Sequence, residues 1–239
     1  SSRLSTEEDY SAAIYSKEDL IINGNGTLNV NAGYRNGIKS TDDCIIVSGT
    51  LNITSTEDGI IGKDLCGIVA GDININAGSD GIKSTYDTDT TKGNVIIEGG
   101  NITIKASNDG IQAENILVIN DGTINIKTNN GAADTTQTHT DNMYMGRGGF
   151  GFNNNKTTTT TDDTSESRKG IKAGNMLIIN DGDITIDSDD DSVHCNSEIY
   201  IYGGTINAAT GDDGVHADDL LTVCLLYTSP SPRDMRRSR

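Results

Sequence analysis

The sequence predicts an all-β chain wound into a three-faced, right-handed parallel β-helix of about 22 residues per coil. Three observations carry that expectation. A short motif, Asp-Gly-Ile or a near variant, returns with its apolar residue at Ile14, Ile38, Ile60, Ile82, Ile111, Ile171, Val193 and Val215. Columns of Ile, Leu and Val keep the same phase on either side of it. No segment carries the 3.6-residue apolar stripe of a helix. Repeats of this length mean stacked units that bury a shared core.

The intervals between successive anchors are 24, 22, 22, 29, 60, 22 and 22 residues. The two long ones are 22 plus an insertion. The first holds seven extra residues at 86–92, polar and rich in Thr and Asp. The second holds residues 131–168, foreign to the pattern. Without them the chain is about seven full coils and a partial eighth.

Each coil then divides into three short strands. The first carries the anchor. The second begins six residues on, with Leu20, Cys44, Cys66, Val95, Leu117, Leu177, Ile199 and Leu221, each followed two residues later by Ile or Val. The third follows a Gly-containing turn, with inward pairs such as Leu28/Val30, Ile73/Ile75 and Ile184/Ile186. Asn29, Asn52, Asn74, Thr103, Asn125, Thr185 and Asn207 stand between the members of those pairs. Apolar-in, polar-out alternation with β-branched residues reads as strand. One coil cannot bury its own apolar face, but coils stacked about 4.8 Å apart can. Cys44 and Cys66 fall in an inward column and read as small core hydrophobes; the other reading is a disulfide between adjacent coils.

The helix is expected over residues 12–223, after a ragged lead-in at 1–11. Residues 131–168, with Thr157–Thr161 and Asn153–Asn155, read as a flexible loop. The alternative there is a sugar-stacking platform of Tyr144, Phe150 and Phe152. From Cys224 the pattern stops. Residues 224–239 hold both prolines and four of the 18 basic residues, and 225–234 resemble a translated sequencing adapter of the kind seen at the ends of assembled environmental sequences. That tail is set aside as non-native, and further coils are expected at both ends of the natural protein.

Composition narrows the function. The chain has 18 Lys and Arg against 35 Asp and Glu, a net charge of −17. That opposes binding to nucleic acid and to anionic membrane. No apolar run approaches the roughly 20 residues of a membrane span. There is no triad, phosphate loop or nucleotide motif.

The chemistry lies in two columns. Two residues before the anchor stand Asp58, Asp80 and Asp109, then Asp191 and Asp213, with Asp190 and Asp212 beside the last two. Asp before Gly is good turn chemistry. The same residues, stacked at coil spacing, would also repel one another and favour a bound cation. Oxygen-only ligands without a Cys/His pair at zinc spacing point to Ca²⁺. One residue after the anchor, the outward position carries Lys39, Lys83, Lys172, His194 and His216. Such cations could balance charge on a solvated face, or hold the carboxylates of a uronic-acid polymer.

The chain resembles a bacterial family of secreted β-helix carbohydrate-binding proteins, once a domain of unknown function, found in anaerobic Firmicutes. The motifs are Ala-Ala-Ile-Tyr-Ser-Lys-Glu-Asp-Leu at 12–20, Asp-Gly-Ile-Lys-Ser-Thr at 80–85, Glu-Gly-Gly-Asn-Ile-Thr-Ile at 98–104, Asp-Gly-Ile-Gln-Ala-Glu at 109–114 and Lys-Gly-Ile-Lys-Ala-Gly at 169–174. The resemblance spans residues of about 10–223. It implies export to the cell exterior, calcium, a pectate-lyase-like fold, and binding of plant cell-wall or acidic polysaccharide without assumed catalysis. The expected chain is a monomeric module of a longer secreted protein. Two other functions stay open. A polysaccharide lyase would need a base, and only Lys83 near Asp80 and Asp109 offers one. A structural stalk or adhesin would bind no glycan.

Overall fold

A computed structural model describes residues 11–132 and 167–224. The 86–92 insertion is described, whereas residues 1–10 of the lead-in, residues 133–166 of the long insertion with its aromatic platform, and the tail from 225 lie outside the described residues. Three parallel sheets form a β-solenoid, with eight, eight and seven strands. The anchor sheet holds Ala12–Ser16, Asn36–Ser40, Ile60–Gly62, Ile82–Ser84, Ile111–Ala113, Ile171–Ala173, Val193–Cys195 and Val215–Ala217. The second sheet runs from Leu20–Ile22 to Leu220–Val223, and the third, with strands of six residues, from Thr27–Ala32 to Thr205–Thr210. No described helix is long and apolar enough to cross a membrane.

The 22-residue period becomes register. Ile14 pairs with Ile38, Ile38 with Ile60, Ile60 with Ile82, Ile82 with Ile111, and so on to Val193 with Val215. The pairing of Ile111 with Ile171 carries the ladder across the long insertion. Ile38 through Val193 in this stack are fully buried, while Ile14 and Val215 close its ends partly exposed. Burial of each such side chain is worth about 1.5–3 kcal/mol, and the inward columns of the other two sheets are buried in the same way. Cys44 and Cys66 are register partners in the second sheet, both buried and both free thiols. Burial pushes Cys44 up to about 12 and Cys66 well above its usual range, with the neighbouring Cys44 adding to the latter. Neither is a nucleophile; they pack as hydrophobes.

The glycine of Asp-Gly-Ile is fixed by space rather than by backbone dihedral. A Cβ on Gly59, Gly81 or Gly110 would stand 2.5 Å from the carbonyl oxygen of the matching residue in the next coil. It would also strike an inward isoleucine of its own coil: Ile75, Ile104 and Ile126 respectively. The first coil has Ala13 at the glycine position, and one later coil also breaks the rule and shows its cause. Ser192 takes the glycine position, and there the inward residue is Ala208, which is paired with Ile186 of the coil before. The smaller alanine leaves room for the serine, whose Oγ lies 2.9 Å from Ser188 Oγ. A different glycine column, Gly49, Gly71, Gly100, Gly122, Gly182 and Gly204, has positive φ and turns the chain into the third sheet.

The outer faces differ. On the third sheet Asn52 Nδ2 donates to Asn29 Oδ1 at 2.8 Å, and Asn74 Nδ2 to Asn52 Oδ1 at 3.1 Å, an amide ladder along the axis. On the second sheet the outward row is Ile21, Ile45, Gly67, Ile96, Val118, Ile178, Tyr200 and Thr222. That row is largely apolar, and Ile21 is 62% exposed.

Candidate functional site

The site lies on the outer face of the anchor sheet and along the turn that leads into it. Both columns foreseen in the sequence are continuous in space. Lys39 pairs with Tyr15 and Ile61, Lys83 with Ile61 and Gln112, Lys172 with Gln112 and His194, and His194 with His216. The five cationic or imidazole side chains therefore share one row.

The aspartate column does work that the sequence reading missed. Asp58 Oδ1 accepts the backbone N–H of Asp80 at 3.0 Å, Asp80 Oδ1 that of Asp109 at 3.0 Å, and Asp109 Oδ1 that of Lys169 at 2.7 Å. Asp191 Oδ1 does the same for Asp213 at 3.0 Å, and Asn36 Oδ1 begins the series with Asp58. Each side chain satisfies one backbone donor of the next coil, buried at Asp109 and part-buried at the others. The second carboxylate oxygen faces the cationic row. Lys83 Nζ lies 2.6 Å from Asp80 Oδ2, Lys172 Nζ 3.7 Å from Asp109 Oδ2, and His194 Nδ1 2.8 Å from Asp191 Oδ2.

The two halves of the column have different electrostatics. Burial pushes the Asp80 carboxyl up; Lys83 draws it back, and Asp58 and Asp109 raise it further. Burial by itself would lower the Lys83 ammonium, but Asp80, with Asp58 and Glu114 behind it, holds its pKa above the usual value. Lys83 thus keeps its proton, contrary to what a base requires. At the other end burial again opposes charge on Asp191. His194, the Lys169 ammonium and the Asp213 backbone N–H overcome it and hold Asp191 well below the carboxylate range.

Lys169 is the residue the sequence reading overlooked. It stands in the aspartate column, where every neighbour from Asp58 to Asp213 is acidic. Its ammonium bridges Asp190 Oδ2 at 2.8 Å and Asp191 Oδ2 at 2.9 Å. Burial would lower its pKa, but those two carboxylates raise it. Next to it Arg168 pairs with the fully buried Asp189 side chain at 2.8 Å, and Asn129 donates to the same oxygen at 2.9 Å. Asp187 accepts Lys127 at 2.6 Å and the Ala132 N–H at 2.9 Å. The acids at 187–191 therefore hold both ends of the long insertion.

Of the seven acids read as metal ligands, the structure gathers Asp190, Asp191 and Asp212, whose oxygens lie within 4.8 Å of one another. Asp191, His194 and His216 form a second such group, and Asp213 is 3.1 Å from His216. Among the described residues, Asp58, Asp80 and Asp109 join no cluster of three; each is committed to the ladder. A third group, Asp19, Asp42 and Asp43, was not foreseen. Burial, with Asp19 and Asp64 nearby, pushes Asp43 up. Its signal was present in the sequence as Glu18-Asp19 one coil before Asp42-Asp43, but it sits off the anchor column.

Fold and site together define a β-solenoid with a charged row along its axis, and comparison gives the class its name. The family model described as "Carbohydrate-binding domain-containing protein" matches residues 1–214. The chain belongs to that carbohydrate-binding domain family. A protein of the same description from Acetivibrio thermocellus is 45% identical over 42 residues, 18% of this chain and 15% of the relative. The chain thus spans a small part of that relative. Among solved structures it is similar to a polysaccharide lyase-like protein from C. thermocellum, studied as a gadolinium derivative. Identity there is 35% and the TM-score 0.51, with 52% of this chain and 50% of the other covered.

Proposed function

We propose that this chain is a non-catalytic, calcium-dependent polysaccharide-binding module that takes an acidic, uronate-containing cell-wall glycan along the anchor sheet, outside the cell. The observation that carries the reading is the pairing of two axial rows: Lys39, Lys83, Lys172, His194 and His216 on the outside, and the aspartate column beside them. A linear polymer lying along the axis meets the same chemistry coil after coil. Lysine ammoniums offer its carboxylates charged donors. Calcium at Asp190, Asp191 and Asp212, displacing the Lys169 ammonium from the first two, would supply a hard cation shared by protein and glycan, since carboxylate oxygens are its preferred ligands. The structural relative's gadolinium, another hard oxygen-seeking cation, supports that choice. Neutral ladder chemistry alone would not select an acidic polymer.

The lyase alternative rests on the relative's description as polysaccharide lyase-like. The protonated state of Lys83, pinned by Asp80, opposes it at the base the sequence offered. The test is binding to polygalacturonate and to a neutral glucan, with calcium and with a chelator. The module predicts calcium-dependent retention on polygalacturonate, weakened by Lys83→Ala and Lys172→Ala, and no ultraviolet-absorbing unsaturated product. Product formation that Lys83→Ala abolishes would establish the lyase instead. Absence of binding to any glycan would leave a structural stalk.

A further inference from the structure

We propose that Asp191, His194, Asp213 and His216 form a binding site for a zinc-class transition-metal ion, separate in chemistry from the calcium reading. The sequence Asp191-Ser192-Val193-His194 recurs one coil later as Asp213-Gly214-Val215-His216. Strand register places His194 directly against His216, with ring centroids 5.0 Å apart. Each ring turns Nδ1 toward the aspartate three residues before it: 2.8 Å from Asp191 Oδ2 for His194, and 3.1 Å from Asp213 Oδ2 for His216. The ligand atoms of Asp191, His194 and His216 lie within 4.8 Å of one another. A tetrahedral metal with bonds of about 2.0–2.2 Å to nitrogen and oxygen sets its ligand atoms roughly 3.4 Å apart, so the group would tighten around the ion while each Nδ1–carboxylate pair opens by a few tenths of an ångström.

The far nitrogen of each ring also has a neighbour: Asn196 Oδ1 is 3.0 Å from His194 Nε2, and Asp218 Oδ1 is 3.2 Å from His216 Nε2. An ion held by Nδ1 of each ring and by the carboxylates would leave Nε2–H free to donate to these neighbours. The Nε2 partners then act as the outer hydrogen bonds that fix ring orientation at metal sites.

The donor set decides the metal. Two imidazole nitrogens and two carboxylate oxygens suit zinc, nickel or copper, whereas calcium takes oxygen alone. The site is reachable from solvent, since the His216 side chain is 40% and that of Asp213 59% exposed. Lys169 also contacts Asp191 Oδ2, and on binding it would give up that contact while keeping Asp190. Asp191 Oδ1 remains on the Asp213 N–H throughout.

The test uses the full chain carrying Cys224→Ser, which removes the exposed thiol, stripped of metal and kept free of calcium, because Asp191 belongs to both clusters. Zn²⁺ is titrated calorimetrically, and Co²⁺ is followed by its visible absorption. We expect one ion per chain with nitrogen-type cobalt spectra, and at least tenfold weaker affinity in His194→Gln and in His216→Gln. Asp212→Asn should leave zinc affinity within about twofold, although it belongs to the proposed calcium cluster. Circular dichroism and melting of each variant separate loss of ligand from loss of fold. Zinc affinity unchanged in the double histidine variant, or no binding at all, overturns the proposal. Zinc binding with no calcium effect would leave this site standing and refute the calcium reading alone.

Discussion

The coils at Asp58, Asp80 and Asp109 and those at Lys169, Asp191 and Asp213 share one backbone geometry and differ in how charge is placed on it. In the first group three carboxylates stand in sequence, the cations reach in from the neighbouring row, and Asp80 ionises with difficulty. In the second a lysine has entered the column itself, and Asp191 is held ionised by three partners. The ladder hydrogen bond from side-chain oxygen to the next coil's N–H is common to both, so the acids cannot all be explained by a ligand. What distinguishes the second group is a cluster of oxygens and imidazoles beyond the ladder's needs. The difference teaches that stacking alone does not make a metal site; surplus donors do.

The largest effect should come from the glycine beneath the first group. Gly81→Ala sets a Cβ 2.5 Å from the Gly110 carbonyl oxygen and 2.4 Å from Cγ2 of the buried Ile104, and should cost about 3 kcal/mol, the upper part of the range for overpacking. In the second group Ser192→Gly should change stability by less than about 1 kcal/mol, since that position already holds a side chain. Urea unfolding of the two variants gives the contrast; equal losses would break it.

A smaller effect separates ladder from charge in the first group. Asp80→Ala leaves the Asp109 N–H without its acceptor and should cost about 2 kcal/mol. Asp80→Asn keeps Oδ1, as Asn36 does in its own coil, and should cost less than half as much. Equal losses in the two variants would show that the ion pair with Lys83, not the ladder, is what Asp80 provides.

Acid titration sharpens the comparison with a still smaller effect of opposite sign in the two groups. The depressed Asp191 contributes its full stabilisation above the ordinary carboxyl range near pH 4 and loses it as pH falls below that range. The raised Asp80 behaves in reverse, weakening the fold as pH climbs from that range toward its own higher value. Unfolding free energy measured against pH should therefore show a shallower acid limb in Asp191→Asn. In Asp80→Asn the decline just above that range should disappear. If both variants changed the profile in the same direction, the assigned electrostatics would be wrong.

Much of this architecture was legible in the sequence. A strict period with one anchor per coil fixes coil number, strand identity and register together, because each residue meets the residue one period away. The rows Lys39 to His216 and Asp58 to Asp213 followed directly. The role of the aspartates did not, because a side chain reaching the backbone of the next coil leaves no mark in its own coil's pattern. Lys169 was hidden by the long insertion before it and by a residue type unlike its column. The outer row from Ile21 to Tyr200 was hidden because Leu20, Ile21 and Ile22 read equally well as one apolar run, and alternation cannot be seen where both faces are apolar. The pairing of Ser192 with Ala208 was visible as two departures in one coil, and only the packing joins them.

The most direct test of the central claim is the melting temperature of the chain against Ca²⁺ at fixed ionic strength, with Mg²⁺ as the control and Asp190→Asn/Asp212→Asn as the comparison. The account predicts that millimolar calcium raises the midpoint of the parent chain, by the equivalent of about 2.7 kcal/mol at a hundredfold excess over Kd. It predicts a much smaller rise with magnesium, and the loss of the calcium response in the double variant. A calcium shift no larger than that of magnesium, or one that survives both substitutions, would contradict it.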